Sequence, residues 1–506
     1  MVHRMKSDTL TSVTNNRLVI YFHYDPHGQA DTACRFAVQA MREQARVLLF
    51  VHNGTLSSSA RCWLTENKIS FLERENEGLD VGAYRAALLH IGRSALDTFD
   101  EVILMNYTLA GPVTPLQEMF SRMDTRSDLD FWGLSRHYAM RSRRFGAHGL
   151  VPEHIQSHFI AVRRRMYDDF WTYWQDMQLP KSYEDSVRRH ETRFTAHFSD
   201  LGYKWDTFLD KTAYRGIFVN PIMACPKDLI VTHRCPFFKR RSFFTPYADE
   251  LRRTDGQAAS TLYRYLKQKT SFPVDELIAS LLPAHPLTAM AQNLHWHYQL
   301  QEGTKSEPPV ILMPEELQNG VKLSADSIYC LPTSLFQQPT LRLYEQELCW
   351  SGSLLCAAVN LFGEHPMLGV LGPAMPLYPE YARARYRLWK NDLSALRRSM
   401  ADLDLQLPME ENQPLPVPNG GILLVRGSAF PKGLPPLRSH KDFWLLPLLA
   451  QKNGFYSADA ETSSQMAARA DVYHALLWQV QTSGGAGKIF VRRIKHAILD
   501  PKEADE

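Results

Sequence analysis

The sequence has little of what marks a secreted, membrane-spanning or zinc-binding protein. Its 506 residues include seven cysteines, which form no CxxC pair and no Cys/His set with metal-ligand spacing, so we expect a reducing compartment and no structural zinc. Residues 1–16 are polar and lack the apolar core of a secretory signal. No run approaches the roughly 18 apolar residues of a membrane span. We therefore expect a cytoplasmic protein with a flexible N-terminus.

A large charge of either sign is also missing. Lys and Arg number 57, Asp and Glu number 54, and the net charge is +3. This balance does not indicate a nucleic-acid partner, and no nucleic-acid-binding module is recognisable. The hydrophobic fraction of 44% and the charged fraction of 22% are those of a globular protein. At roughly 100–200 residues per domain, the length predicts two to four domains.

Buried strands alternate with helices in the first half of the chain. Nearly continuous apolar runs predict strands at 17–23, 47–52 and 101–106, with a short strand at 70–73. Helical patterns lie between them at 32–46 and 81–91, and a strand at 155–162 and a helix at 183–201 follow. This alternation predicts an α/β, Rossmann-like doubly wound sheet, whose ligand lies beyond the carboxyl ends of the strands.

The second half repeats features of the first. The segment ending DFWGLS (130–135) resembles the one ending MLGVLG (367–372). An arginine-ended strand follows each, SHFIAVRR (157–164) and GGILLVRG (420–427), and then a helix ending in Gly and an aromatic residue. These similarities favour a second, degenerate α/β domain. The predicted segments are the N-terminus at 1–16, a first domain at 17–245, a helical linker region at 246–309, a second α/β domain at 310–482 and a basic tail at 483–506.

The segment at 75–85, ENEGLDVGAYR, is the most informative stretch of the chain. Gly78 and Gly82 allow a tight turn and let a ligand approach a helix N-terminus. Asp80 fits either of two roles, capping that helix or binding a sugar or base hydroxyl. Taken alone, the pattern favours an ordinary capped loop.

The segment does not stand alone, because an ordered set of motifs surrounds it. The matching segments are FHYD (22–25), VHNG (51–54), NEGLDVGAY (76–84), NYTLAGP (106–112), DFWG (130–133), HIQSHF (154–159), Glu191 ahead of Gly202-Tyr203, PFFKR (236–240) and, in part, 418–426. In these segments and their order the sequence resembles the rhamnan synthesis protein F family of glycosyltransferases. The resemblance is dense over 17–245 and thinner afterwards.

The resemblance implies a GT-A-like N-terminal domain that moves a deoxyhexose, typically L-rhamnose from dTDP-L-rhamnose, onto a growing surface polysaccharide. A nucleotide-sugar donor and a lipid-linked glycan acceptor are the implied partners. A β-linked donor and an α-linked product would require inversion by a single displacement. The residues expected at the donor are His23, Asp25, Asn53, Gly78, Asp80, Gly82, Tyr84, Arg85, Asn106 and Tyr107. Those expected at the acceptor or phosphates are Trp132, His154, Gln156, Ser157, Lys239 and Arg240.

Glu191 is the candidate catalytic base, because it lies in the helical segment where GT-A folds commonly place theirs. The alternative is a solvated carboxylate that pairs with Arg188 or Arg189 on the same helix. Asp185 and Glu184 are the nearest substitutes for Glu191 as base.

The chain departs from the family pattern at Tyr107, where members carry the aspartate of Asn-Asp-Ser. A divalent cation such as Mg²⁺ or Mn²⁺ requires charged oxygen ligands, which Tyr107 does not supply. Two explanations stay open: arginines neutralise the diphosphate instead of a metal, or the domain has lost catalysis and only binds. The candidate cations are Arg85, Arg163 and the run at 239–241. The basic tail either contacts the inner membrane face or covers the second domain.

Overall fold

The computed structural model describes residues 16–142, 149–209, 212, 214–301, 306–332, 350–377, 379–416 and 422–482. They form two compact units. The first contains residues up to 242 together with 253–274, and the second contains 243–252 and the residues from 275 onward. The predicted N-terminal segment, except residue 16, and the whole predicted basic tail lie outside the described residues.

The first unit is built on a parallel-dominated sheet. Its strands are β1 (Arg17–His23), β2 (Val47–Asn53), β3 (Ser70–Arg74), β4 (Glu101–Asn106), β5 (Leu109–Ala110), β6 (Phe131–Gly133), β7 (Arg136–His137), β8 (Met140–Arg141), β9 (Leu150–Val151), β10 (His154–Ile155), β11 (Phe159–Arg163), β12 (Trp205–Thr207) and β13 (Phe238–Lys239). Seven of them form one sheet in the order β12-β6-β11-β4-β1-β2-β3. Every neighbouring pair is parallel except those that β11 makes with β4 and β6.

Helices cover both faces of this sheet. They are α1 (Thr32–Glu43), α2 (Ser58–Glu66), α3 (Leu79–Ile91), α4 (Arg93–Leu96), α5 (Leu116–Asp124), α6 (Tyr167–Asp176), α7 (Tyr183–Ser186), α8 (Thr192–Asp200), α9 (Pro221–Ala224), α10 (Pro226–His233) and α12 (Ala258–Lys269). One core packs β1 and β4 against α3, α6 and α8 through residues such as Ile20, Leu104, Tyr84, Phe170 and Phe198. The expected α/β class, with a parallel-dominated central sheet, is confirmed.

The expectation of one strand at 155–162 is wrong. The chain forms the short β10, turns through residues 156–158, and then enters β11. The turn allows β11 to run antiparallel to β4, with Phe159 beside Met105. As a result, residues 156–158 lie at the edge of the sheet where the parallel strands end.

The second unit has its own six-stranded sheet. Its strands are β14 (His297–Leu300), β15 (Val310–Ile311), β16 (Ile328–Pro332), β17 (Leu368–Pro373), β18 (Ile422–Arg426) and β19 (Tyr456–Thr462), in the order β14-β19-β17-β18-β16-β15. Its helices are α11 (Tyr247–Glu250), α13 (Val274–Leu281), α14 (Leu287–Leu294), α15 (Pro314–Asn319), α16 (Gly352–Glu364), α17 (Pro379–Asp402), α18 (Leu445–Lys452) and α19 (Ser463–Thr482).

Five strands of the second sheet repeat the arrangement of the first. Across the second sheet the strands lie in the order β15, β16, β18, β17 and β19, and across the first sheet in the order β1, β4, β11, β6 and β12. Strand by strand, the two series have the same parallel or antiparallel pairing. The strands of each series also follow one another along the chain in the same order. The strand that is antiparallel to both of its neighbours is β11 in the first sheet and β18 in the second. The described residues of the second unit have no counterpart of β2 and β3. This is the topology that a degenerate copy requires.

A matching pair of arginines supports the repeat at the level of single hydrogen bonds. Arg163, at the end of β11, donates to the carbonyl oxygens of residues 123, 126 and 129, in and after the last turn of α5. Arg426, at the end of β18, donates to those of residues 362, 365 and 368, in and after the last turn of α16. Each arginine thus satisfies three carbonyls with the same spacing at a helix end. Arg163 is therefore part of the framework of the first unit.

Candidate functional site

The carboxyl ends of the parallel strands bring several of the predicted motifs together. His23 lies beside His52 at the ends of β1 and β2, and Phe22 lies beside Asn106 at the end of β4. Since β11 runs in the opposite direction, its first residue, Phe159, is at the same edge. The segments at 23–25, 52–54, 106–108 and 156–158 therefore converge at one edge of the sheet.

The loop before α3 is held in place by the end of β2. Asn53 donates to Asn76 Oδ1 and to the Leu79 carbonyl, both at 3.0 Å. Gly78 precedes the helix in the left-handed region, at φ 72°. A Cβ on Gly82 would lie 2.1 Å from the carbonyl oxygen of Glu77. Asn53, Gly78 and Gly82 therefore shape the loop that presents Asp80.

Asp80 and Asn106 face each other at the centre of this edge. Asn106 Nδ2 lies 3.4 Å from Asp80 Oδ2, and the backbone amide of Val81 donates to Asp80 Oδ1 at 3.0 Å. Burial, with a contribution from the charge of Glu191, raises the pKa of Asp80 to about 6. Tyr84 is buried nearby, and burial and the charge of Asp80 raise the pKa of its hydroxyl.

Lys239 reaches this cluster because β13 pairs with β5. In that antiparallel pair Lys239 lies beside Leu109, and its Nζ donates to Thr108 Oγ1 at 2.9 Å. Thr108 Oγ1 in turn donates to Asn106 Oδ1 at 2.5 Å. Burial lowers the pKa of Lys239 to about 8, against the opposing charges of Glu191 and Asp80. One hydrogen-bonded chain therefore runs from Lys239 through Thr108 and Asn106 to Asp80.

Glu191 is positioned by an irregular helix. Between α7 and α8 the backbone forms a π-helical turn over Val187–Glu191, a distortion that is frequent at functional sites. Ser157 Oγ donates to Glu191 Oε2 at 2.5 Å, and His154 Nε2 lies 3.7 Å from Oε1. Burial alone would raise the pKa of Glu191, but the ring of His154 when it is protonated, the Ser157 hydroxyl and the charge of Lys239 hold it well below its usual range. The carboxylate is therefore ionised at neutral pH.

The remaining residues of the 154–159 motif form a buried polar cluster. Ser135 Oγ donates to Gln156 Oε1 at 2.9 Å and lies 3.2 Å from His158 Nε2. Burial and the charge of Lys239 lower the pKa of His158 well below its usual value, so the ring is neutral. Gln156 thus fixes the turn that presents Ser157 to Glu191. Ser135 and Thr108 also form hydrogen bonds in the site, although neither was predicted as a site residue. Thr108 lies within the motif at 106–112, and Ser135 lies shortly after the motif at 130–133.

His23 and His52 form a buried pair at the ends of β1 and β2. Their Nδ1 atoms are 3.1 Å apart, and burial lowers the pKa of both rings, to about 3 for His23. Tyr107 packs edge-on against His23, and burial raises the pKa of its hydroxyl. Asp25 accepts from the backbone amides of residues 27 and 29, so it stabilises its own turn.

Three predicted site residues are engaged elsewhere. Arg85 donates to the carbonyls of Trp174 and Gln175 at the end of α6. Trp132 is fully buried, and its indole donates to Glu101 at 2.7 Å, which leaves no face for a sugar. Arg240 is buried and pairs with Asp31, the N-cap of α1. Trp174 belongs to the core of this unit, and Trp171 packs against it.

The residues at this edge do not fit a divalent cation. Within the described part of the chain, no three or more His, Cys, Asp or Glu side chains are grouped so as to hold a metal ion. Asp80 is paired with an amide, and Tyr107 supplies a neutral hydroxyl where a carboxylate would be needed. Lys239 is a cation close enough for the charges of Glu191 and Asp80 to raise its pKa.

Comparison with known proteins gives one family match and several likenesses in fold. The model of the family described as rhamnan synthesis protein F matches residues 48–305, slightly more than half of the chain. A comparison with curated proteins gives no match. Among the described residues, no helix is long and apolar enough to cross a membrane.

Two solved structures illustrate the likeness in fold. A putative nucleotide-diphospho-sugar transferase from Desulfovibrio desulfuricans is 12% identical, with a TM-score of 0.24, over 40% of this chain and 90% of its own. A mannosyltransferase from Pyrobaculum calidifontis, solved in complex with GDP-Man and Mn²⁺, is 12% identical, with a TM-score of 0.25, over 55% of this chain and 77% of its own. Likeness at this level carries no argument about activity.

Proposed function

Because the chain belongs to the rhamnan synthesis protein F family, we propose that it is a glycosyltransferase of polysaccharide synthesis. Its donor in this proposal is a nucleotide-linked deoxyhexose, L-rhamnose on dTDP, and its acceptor is a lipid-linked glycan at the inner membrane face. The observation that supports the proposal most directly is the arrangement at the sheet edge. A hydrogen-bonded chain from Lys239 to Asp80 lies there within electrostatic reach of the Glu191 carboxylate.

The donor would use the basic end of this arrangement for its diphosphate. With a pKa of about 8, Lys239 is mostly a cation at neutral pH, and its ammonium group has hydrogens to spare beyond the one given to Thr108. Arg241 is exposed, and its charge acts on Lys239. Two cations next to each other favour a diphosphate, and they would stabilise the charge that develops as it leaves. Asp80 and Asn106 would then contact the sugar or the nucleoside.

The transfer would be a single displacement with inversion. The acceptor hydroxyl attacks the anomeric carbon, the new glycosidic bond forms, and the bond from that carbon to the diphosphate oxygen breaks. Glu191 takes the hydroxyl proton, and the nucleoside diphosphate leaves as an anion next to Lys239. Nothing in this scheme is routed through a metal, in agreement with the donor atoms available at the site.

One observation favours a second candidate function, a non-catalytic partner that binds nucleotide sugars or glycans. Tyr107 stands where members of the family carry a carboxylate, and it is packed against the aromatic rings of Phe22 and His23. A chain that lost a catalytic carboxylate at this position would keep the strand-end cradle and its cations. The two functions differ in turnover and agree in donor binding.

A panel of nucleotide sugars, tested by calorimetry and in a transfer assay with and without divalent metal, separates them. We expect dTDP-L-rhamnose to bind, and Asp80→Ala to weaken that binding. Glu191→Gln should keep the binding and lower transfer by about 10²–10⁴-fold, the usual contribution of a general base. Asp185→Asn is the matched control, because Asp185 pairs with Arg189 on the same helical segment. Donor binding without transfer from any donor would support the non-catalytic function, and no donor binding would refute both.

A further inference from the structure

The fate of the acceptor's proton is the open step of the proposed reaction. Ser157 already donates to one oxygen of Glu191, and the charge of Lys239 also stabilises its ionised form. A carboxylate stabilised in this way takes up a proton weakly, because general-base efficiency falls as the pKa of the base drops below the working pH. A second group close to Glu191 would have to accept the proton for transfer to proceed efficiently.

His154 is the group that the structure places there. Its Nδ1 lies 2.7 Å from the carbonyl oxygen of Pro152. Since a carbonyl can only accept, Nδ1 carries the hydrogen, and in the neutral form of the ring Nε2 has a lone pair. That Nε2 is buried, has no hydrogen-bond partner among the described residues, and lies 3.7 Å from Glu191 Oε1. The side chain as a whole is 2% exposed.

The surroundings of His154 hold its ring in this orientation. It stacks on His137, with the ring centroids 5.2 Å apart and the planes 15° from parallel, in the antiparallel pair of β10 and β7. Burial lowers the pKa of His137 to about 4, so the stacked ring is uncharged. Arg136, the next residue on β7, is paired with Glu153 and Asp206. Glu191 is therefore the charged group that faces Nε2.

We propose that Glu191 and His154 act as one proton-accepting pair, in which Glu191 takes the proton from the acceptor hydroxyl and passes it to Nε2 of His154. The acceptor O–H bond breaks, an N–H bond forms on the imidazole, and the carboxylate is restored as the partner of an imidazolium. His154 is a positioning residue in this scheme, since only Glu191 touches the substrate. The inference rests on the proposed transferase function and adds the destination of the proton.

The pair has a defined pH dependence. It can accept the proton only while His154 is neutral, so transfer should increase with pH as the free pair loses its proton. Among the described residues, the charged or titratable groups around the ring are Glu191, His137 and the ion pairs of Arg136. His137 is neutral near neutral pH because its pKa is about 4. The low-pH limb of the rate profile should therefore report the Glu191–His154 pair.

The kinetic test is His154→Gln, which retains a polar side chain of similar reach but has no basic nitrogen. We expect kcat to fall by about 10²-fold, within the range of proton-transfer contributions, while donor affinity stays the same. The low-pH limb should move to lower pH, because the carboxylate alone then sets it. A lost structural contact would lower kcat without moving that limb. His197→Gln, an exposed histidine on α8, is the matched control and should keep both the rate and the profile.

The second test does not depend on turnover. Nitrogen-15 NMR of the free protein at neutral pH should show His154 with its hydrogen on Nδ1. A hydrogen on Nε2, or a His154→Gln variant with wild-type kcat and an unmoved low-pH limb, would overturn the pair while leaving the proposed function intact. Donor binding with no transfer in the wild type would instead refute the transferase function, and the pair would lose its role with it.

Discussion

Replacing Asp80 by asparagine should stabilise the protein at neutral pH while impairing donor binding. Burial and the charge of Glu191 set the pKa of Asp80 at about 6, compared with 3.8 for an unperturbed aspartate. Ionising Asp80 therefore costs at most about 3 kcal/mol more in the folded protein than in the unfolded chain. Asparagine has nearly the same shape and no charge, so Asp80→Asn removes this cost. A carboxylate whose ionisation destabilises the folded protein is expected where the function needs a negative charge.

The size of this stability difference between the variant and the wild type should depend on pH. A pKa that is raised by folding contributes stability below about pH 4, and that contribution is lost as the pH rises through about 6. The variant and the wild type should therefore unfold at similar denaturant concentrations near pH 4. Near pH 8 the variant should be more stable by up to about 3 kcal/mol. Denaturant unfolding followed across this range gives the difference directly.

Asp185→Asn is the control, because folding shifts the pKa of Asp185 in the opposite direction to that of Asp80. The backbone amide of Lys181 and the guanidinium of Arg189 lower the pKa of Asp185, so its ionised form is stabilised and its loss should not increase stability at high pH. A stability difference for Asp80→Asn that is absent near pH 8, or equally large near pH 4, would refute the argument that the carboxylate is held at an electrostatic cost.

Three further predictions follow from single contacts. Lys239→Gln should weaken donor binding by about 10- to 100-fold, the value of a charged hydrogen bond. In calorimetry the wild type should lose affinity as the pH rises through about 8, the pKa of Lys239, and the variant should not. Gly82→Ala should destabilise the protein by about 1–3 kcal/mol, because the new Cβ meets the carbonyl oxygen of Glu77, whereas Gly363→Ala, in open space on a helix, should not. Arg163→Met should cost about 3 kcal/mol in denaturant unfolding, since it removes three hydrogen bonds to part-buried carbonyls, each worth about 1 kcal/mol.

The framework of the first unit could be predicted from the sequence because its strands are buried on both faces. Such strands read as continuous apolar runs, and β1 (Arg17–His23) and β4 (Glu101–Asn106) begin and end where those runs do. The break between β10 and β11 could not be predicted in this way. It depends on polar contacts, such as that of Ser135 with Gln156, between residues far apart in the sequence.

The same limit explains which site residues the sequence could place. Asn106 could be predicted as a site residue because it ends a strand, and Asp80 because it lies at the start of a helix. The structure brings the two side chains together. Arg85 and Arg240 have residue types that suit a phosphate, but their partners are a helix end and a helix N-cap that no local pattern reveals. Trp132 follows from its motif as a site residue, yet its indole is used by a buried carboxylate in the core.

The repeat of the fold in the second unit explains why only one such site is expected. Tyr203 N donates to the Phe198 carbonyl at the end of α8, and Phe455 N donates in the same way to Ala450 at the end of α18. Phe443 precedes Phe455 by as many residues as Glu191 precedes Tyr203, so Phe443 stands at the position equivalent to Glu191. It is buried in the core of the second unit. A phenyl ring cannot accept a proton, so this position of the second unit cannot supply the base of the proposed transfer. The second unit therefore has the same sheet arrangement and an arginine at the helix end, with a core side chain where the first unit has the carboxylate.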